Sequence, residues 1–258
     1  MARGVAAILW LLVLQCASAQ DEVAQRLRVP PGSHLTFPAE ALDRHAERTW
    51  LRRIAEEGNA GLLGCKRYCD RIAGVFERLE AAVARLVPPP RPAWQLAIGT
   101  NPREEAWSLS GGRLYVSEAF IDAYELTDAE LALVLGHEMG HVLLQHENET
   151  LTIAAAFVPR GVSASVDSMY AALDFDLGLS LKLEPAWRAE ELAADDAGMV
   201  IGAAAGFEPD AMLAFFEKLA RADDEGGSVV SDHPSSAERL RRARSLRDLG
   251  LQRGDAHD

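Results

Sequence analysis

Cationic charge is what this sequence lacks most plainly: 26 lysines and arginines stand against 39 aspartates and glutamates, a net charge of −13 over 258 residues. That balance argues against a nucleic-acid partner, because phosphate binding needs clustered Lys and Arg. The arginine groups that do occur, Arg52-Arg53 and Arg239 to Arg244, alternate with apolar residues at helical spacing and lie near acids, so they read as solvated helix faces. Cysteine is scarce as well, with three residues in all, too few for a disulfide framework. Beyond the N-terminus there is no long apolar run. Leu151 to Val158 is the longest stretch of note and Pro159-Arg160 close it, far short of the ~20 residues a membrane helix needs. Internal repeats and low-complexity segments are also missing. What is present is apolar residue content of 48%, enough for a sizeable core without staples.

The first nineteen residues carry the pattern of a signal peptide: Arg3, an apolar stretch from Val5 to Leu14, and the small-residue cleavage signal Ala17-Ser18-Ala19. Gln20 is the expected mature start and the periplasm the expected location. A lipid anchor on Cys16 is disfavoured, because Gln15 stands where a small residue normally precedes a lipidated cysteine. Export permits a disulfide between Cys65 and Cys69, which would need a distorted or frayed helical turn; two plain buried cysteines are the other open reading.

Apolar periodicity predicts helices over Ala39 to Glu57, Cys65 to Val87, Pro209 to Ala222 and Ser236 to Leu249. Trp94 to Ile98 reads as a strand, and Trp107 to Val116 as a hairpin turning at Ser110-Gly111-Gly112. A capping box, Thr127 with Glu130, opens a largely apolar helix running to about His146. A loop-rich stretch is expected next, and then a helix opened by Pro185 and reaching about Ala204. No linker divides the chain, so residues 20–258 are expected to form one α+β domain. It would have a helical part at 20–93, a catalytic part at 94–258 and a small antiparallel sheet.

His137, Glu138 and His141 interrupt the most apolar helix as H-E-x-x-H. Positions four apart stand one above the other on a helix face, so both imidazoles can reach one Zn²⁺, with Glu138 placed to take a proton from the attacking water. A catalytic zinc site needs a third protein ligand, and Glu191 on the later helix is the best candidate. Asp195, one turn further along the same face, can accept a hydrogen bond from a ligating histidine. Ala193, Ala194 and Ala197 are small enough to bring the two helices close.

These motifs resemble those of the zinc metallopeptidases that include the HtpX-type heat-shock proteases, the CAAX prenyl endopeptidases and the periplasmic BepA-type proteases. The second motif of that group, R-x-x-E-x-x-A-D-x-x-G, is met by Arg188, Glu191, Ala194, Asp195 and Gly198. The Gly-Gly hairpin matches Leu109 to Val116, and a later His-Pro followed by Arg matches His233-Pro234 and Arg239. The likeness runs from about Gln95 to Leu246. It implies a zincin-like fold, one Zn²⁺ per chain, and an edge strand around Leu109, Gly111 and Gly112 that pairs with substrate. It also implies His233 as a displaceable fourth ligand and Arg239 as an oxyanion donor. Glu105 departs from the usual Asn at the start of the hairpin, and Ala193 from a usual acid. The function implied is a stand-alone exported endopeptidase acting on misfolded or stalled envelope proteins, with peripheral association with envelope complexes. A zinc-bearing chaperone or scaffold and a non-peptidase zinc hydrolase are the alternatives. The complete set with Glu138 favours the enzyme, since a mere binder has no need of that base.

Overall fold

Two apolar clusters decide where the chain goes. The computed structural model describes residues 19–28, 36–224 and 234–249. Along it run α1 (Ala19–Arg28), α2 (Ala39–Asn59), α3 (Cys69–Leu86), β1 (Gln95–Gly99), β2 (Ala106–Leu109), β3 (Arg113–Ser117), α4 (Glu118–Ala123), α5 (Asp128–Leu144), α6 (His146–Ala155), α7 (Val166–Phe175), α8 (Leu177–Ala204), α9 (Pro209–Asp224) and α10 (Ser236–Asp248). The main core joins α1, α3, β3, α5, the C-terminal half of α8, α9 and α10 through residues such as Ile72, Leu79, Leu131, Leu135, Met199 and Phe216. A smaller cluster of Phe37, Leu42, Leu151, Met169, Leu179 and Leu183 joins α2, α6, α7 and the N-terminal half of α8. Among the described residues no helix is long and apolar enough to cross a membrane. The expected cleavage signal and Cys16 lie outside the described residues, apart from Ala19 at the start of α1.

The sheet is mixed, with strand order β1-β3-β2. The hairpin β2–β3 is antiparallel as expected, with Leu109 opposite Arg113, but β1 runs parallel to β3, with Gln95 opposite Arg113. The correction has a simple origin: β1 pairs with the second arm of the hairpin, which leaves the first arm outside. All five residues of β3 are buried, and among the described residues β2 forms one edge of the sheet. Gly111 and Gly112 take positive φ values of 85° and 95°, which L side chains resist. A Cβ on Gly111 would lie 2.2 Å from Asp43 Oδ1, and one on Gly112 would lie 2.9 Å from Pro92 Cβ. Both glycines thus serve the turn and face α2 and the segment before β1. They are not part of the exposed strand edge, where substrate contacts were expected.

Three local expectations need correction. The helix placed at Cys65 begins at Cys69, and the non-helical residues before it let Cys65 and Cys69 form a disulfide. The stretch expected to be loop holds α6 and α7, the latter capped by Ser165 accepting from the Ser168 amide. Finally, α8 begins at Leu177, capped by Asp176, and continues through Pro185. Pro185 lacks only one amide donor, and the surrounding helix persists because Leu179 and Leu183 are anchored in the smaller cluster.

Helices α5 and α8 cross at close range. A Cβ on Gly198 would stand 2.9 Å from the His137 amide nitrogen and 3.0 Å from the Leu133 carbonyl oxygen. One on Gly140 would stand 2.8 Å from Ala197 Cβ. With Ala194 also at this crossing, the backbones nearly touch, which brings the side chains of α8 onto the His137–His141 face.

Candidate metal centre

A cleft of about 390 Å³ opens between the two clusters, bounded by Ala106 to Ser110 of β2 and its turn and by residues of α5, α6, α7 and α8. Its apolar walls include Val142, Leu151, Leu173 and Trp187, and His137, Glu138, His141 and Glu191 line it too. Here the helical spacing has its effect. The Nε2 atoms of His137 and His141 are 3.0 Å apart. Across the α5–α8 crossing, Glu191 sets Oε1 3.3 Å from His141 Nε2 and Oε2 3.5 Å from His137 Nε2. These three residues form a group whose ligand atoms all lie within 4.8 Å of one another.

The donor set suits zinc. Donor atoms about 2.0–2.1 Å from a tetrahedral Zn²⁺ stand roughly 3.3 Å from one another, and two imidazoles with one carboxylate leave a fourth position for reaction. The separations of 3.0, 3.3 and 3.5 Å bracket that spacing.

Each histidine is held from behind. Asp195 Oδ1 accepts from His137 Nδ1 at 2.9 Å, and since an ionised carboxylate only accepts, the His137 proton sits on Nδ1 and Nε2 presents its lone pair. Asp195 is itself gripped by Arg239, whose Nε donates to Oδ2 and Nη2 to Oδ1, both at 2.7 Å. Burial works to raise the Asp195 carboxyl, but Arg239 and His137 outweigh it and hold it below the ordinary range. The second histidine, His141, meets His146 with the two Nδ1 atoms 3.0 Å apart. Burial, with His141 and His137 nearby, pushes His146 down to about 2. Burial also acts to lower His141, yet the carboxylates of Glu191, Glu138 and Glu190 prevail and raise it.

Most of the residues singled out in the sequence thus come together: His137, Glu138, His141, Glu191 and Asp195 at one site, with the β2 edge beside it. Glu190 turns from the other two carboxylates toward α6, accepting from the Thr150 hydroxyl at 2.8 and 2.9 Å, and burial lifts it to about 7. Arg239 arrives at the site but in a different posture from the one expected. Two of its donors are committed to Asp195 and its guanidinium carbon lies 5.3 Å from the Phe216 ring centre. His233 lies outside the described residues. Sequence reasoning missed His146, whose only signal was a third histidine five positions beyond His141. A second cluster of ligand-type side chains, Cys65, Cys69 and Glu118, is no metal centre here, because its sulfurs are bonded to each other.

Residues 71–247 match peptidase family M48. Over 154 residues the chain is 31% identical to the mitochondrial metalloendopeptidase OMA1 of Schizosaccharomyces pombe, covering 58% of this chain and 45% of that protein. It is 31% identical over 145 residues to the metalloprotease LoiP of Escherichia coli, covering 54% of this chain and 57% of LoiP. With the metalloprotease YcaL of the same organism it shares 31% over 147 residues, 54% of this chain and 56% of YcaL. The chain thus spans about half the length of these curated relatives.

Proposed function

The chain belongs to peptidase family M48, and on that premise we propose that it is an exported zinc metalloendopeptidase acting on unfolded or misassembled proteins of the cell envelope. The observation that carries the reading is the convergence of His137 Nε2, His141 Nε2 and the Glu191 carboxylate in a cleft that Glu138 also lines. His137, His141 and Glu191 would hold Zn²⁺, which when bound supplies Lewis acidity to a peptide carbonyl and acidifies water. Glu138 accepts the proton of the attacking water and passes it to the leaving amine. The outer edge of β2 offers unpaired backbone groups to an extended peptide, a mode of binding that reads main chain more than side chains and suits unfolded substrates. Export to the periplasm rests on the N-terminal signal pattern read in the sequence.

The decisive experiment incubates the zinc-loaded protein with an unfolded protein substrate, with and without chelator, beside Glu138→Gln. Cleavage should stop with chelator and in the variant, while the variant keeps its zinc by metal analysis. Metal loss on Glu138→Gln would overturn the assigned roles, and chelator-insensitive cleavage would overturn the metal reading.

A further inference from the structure

The two histidines are supported by different chemistry, and the second support is the new observation. We propose that His146 is the positioning residue for His141: its Nδ1 accepts the Nδ1 proton of His141, so that Nε2 of His141 faces the metal with its lone pair. The inference rests on the zinc reading above.

The chain geometry creates this contact. On an unbroken helix, residues five apart are about 140° apart around the axis and do not face each other. Here α5 ends at Leu144, Gln145 adopts a left-handed conformation with φ 57° and ψ 37°, and α6 starts at His146. A non-glycine residue in that region is uncommon and calls for a reason. The reason offered by the geometry is that the break turns His146 back under His141, with ring centres 4.9 Å apart and the planes at 83°. Edge-to-edge approach at 3.0 Å between the two Nδ1 atoms requires one to carry hydrogen and the other to accept. The far nitrogen of His141 is already directed at His137 Nε2 and Glu191. Ligation through that nitrogen leaves Nδ1 as the donor, and His146 as the acceptor with its own proton on Nε2. His146 is only 4% exposed, so an apolar side chain in its place would leave the His141 N–H buried and unmatched.

The test compares His146→Leu, which has no acceptor, with His146→Asn, whose side-chain oxygen can stand near the position of Nδ1. Zinc affinity is read by competition with a chromophoric chelator, independently of peptidase activity. His146→Leu should bind zinc about 10–100-fold more weakly, the usual cost of losing such a partner. His146→Asn should stay close to the unsubstituted protein. Nitrogen-labelled histidine NMR of the zinc-loaded protein should show His141 protonated on Nδ1 and His146 on Nε2. Unchanged affinity in His146→Leu would overturn the proposal, as would an equal loss in both folded variants or an Nε2-protonated His141. If His146→Leu fails to fold, the Asn variant and the tautomers decide. If the unsubstituted protein takes up no zinc, the metal reading falls, and whether the two Nδ1 atoms share a proton in the metal-free spectra decides the His141–His146 contact by itself.

Discussion

Arg239 is the residue at which two explanations of one motif give different measurements. As an oxyanion donor it would act on the substrate. Its substitution would then lower the rate by about 10²–10³ and leave the metal in place. In the structure its donors hold both oxygens of Asp195, which in turn holds His137, a chain of contacts ending on a proposed metal ligand. Arg239→Ala is therefore expected to weaken zinc binding by about 10–100-fold and to lower activity mainly through lost metal. It should also destabilise the fold by about 3–5 kcal/mol, because it strands a buried carboxylate. Chelator competition and steady-state cleavage at saturating zinc separate the two roles: full zinc affinity with a collapsed rate would restore the oxyanion assignment. His137, Glu138 and His141 were legible because a four-residue spacing has one meaning on a helix. The Asp195–Arg239 pair was not, because its partners are 44 residues apart and only folding makes them neighbours.

At the scale of elements, legibility followed local signals. The Thr127–Glu130 box marked the start of α5, and both of its hydrogen bonds are made. The region between α5 and α8 was misread because Pro185 resembled a helix start. The true start, Leu177, lies eight residues earlier, and its cap Asp176 is preceded by the separate cap of α7 at Ser165. The small residues Ala194 and Ala197 foretold a close α5–α8 crossing, and the structure adds Gly140 and Gly198 to it. With its Cβ 2.9 Å from a main-chain nitrogen of α5, Gly198→Ala has to push the helices apart. The expected cost is about 1–3 kcal/mol by thermal or denaturant unfolding. Zinc affinity should fall with it, since Glu191 moves away from the histidines; a variant as stable and as tightly metal-binding as the parent would show the crossing to be looser than described. Away from the cleft, Glu118 does for the Cys65–Cys69 loop what Asp195 does for His137. Its buried carboxylate accepts the main-chain amides of Lys66, Arg67 and Tyr68 at 3.0, 2.7 and 2.8 Å, fastening the loop to α4. Burial acts to raise its carboxyl, but those amides and the Arg67 charge outweigh it and lower it. Stability from this clamp is therefore complete above the unfolded glutamate value of about 4.3 and is lost as pH falls through the lower folded value. Glu118→Gln should cost about 1.5–3 kcal/mol at neutral pH. In denaturant titrations across pH, the gap from the parent should close in acid; a gap independent of pH would remove the charge from the explanation.

On the scale of the whole molecule, the cleft lies where the main core meets the smaller cluster, and the proposed ligands straddle the helices that join them. Two ligands stand on α5 and the third on α8, so bound zinc would fasten a crossing that packing has already formed. Leu131, Leu133, Leu135 and Met139 of α5 share one buried apolar cluster with Met199, Val200 and Ile201 of α8, so the crossing has an apolar core of its own. This is unlike small zinc modules, which have no core without their ion. Metal removal should accordingly leave the helices in place while lowering the unfolding temperature. A ligand that binds only the folded state, present at about a hundred times its dissociation constant, adds about 2.7 kcal/mol. In a domain of this size each kcal/mol is worth roughly 2–4 °C, so the chelated protein should melt about 5–11 °C lower. Its far-UV circular dichroism should be unchanged at room temperature, and each tenfold rise in free zinc should restore about 1.4 kcal/mol. Collapse of helicity on chelation would mean that the crossing depends on the metal. A melting temperature indifferent to zinc would mean that His137, His141 and Glu191 do not hold it.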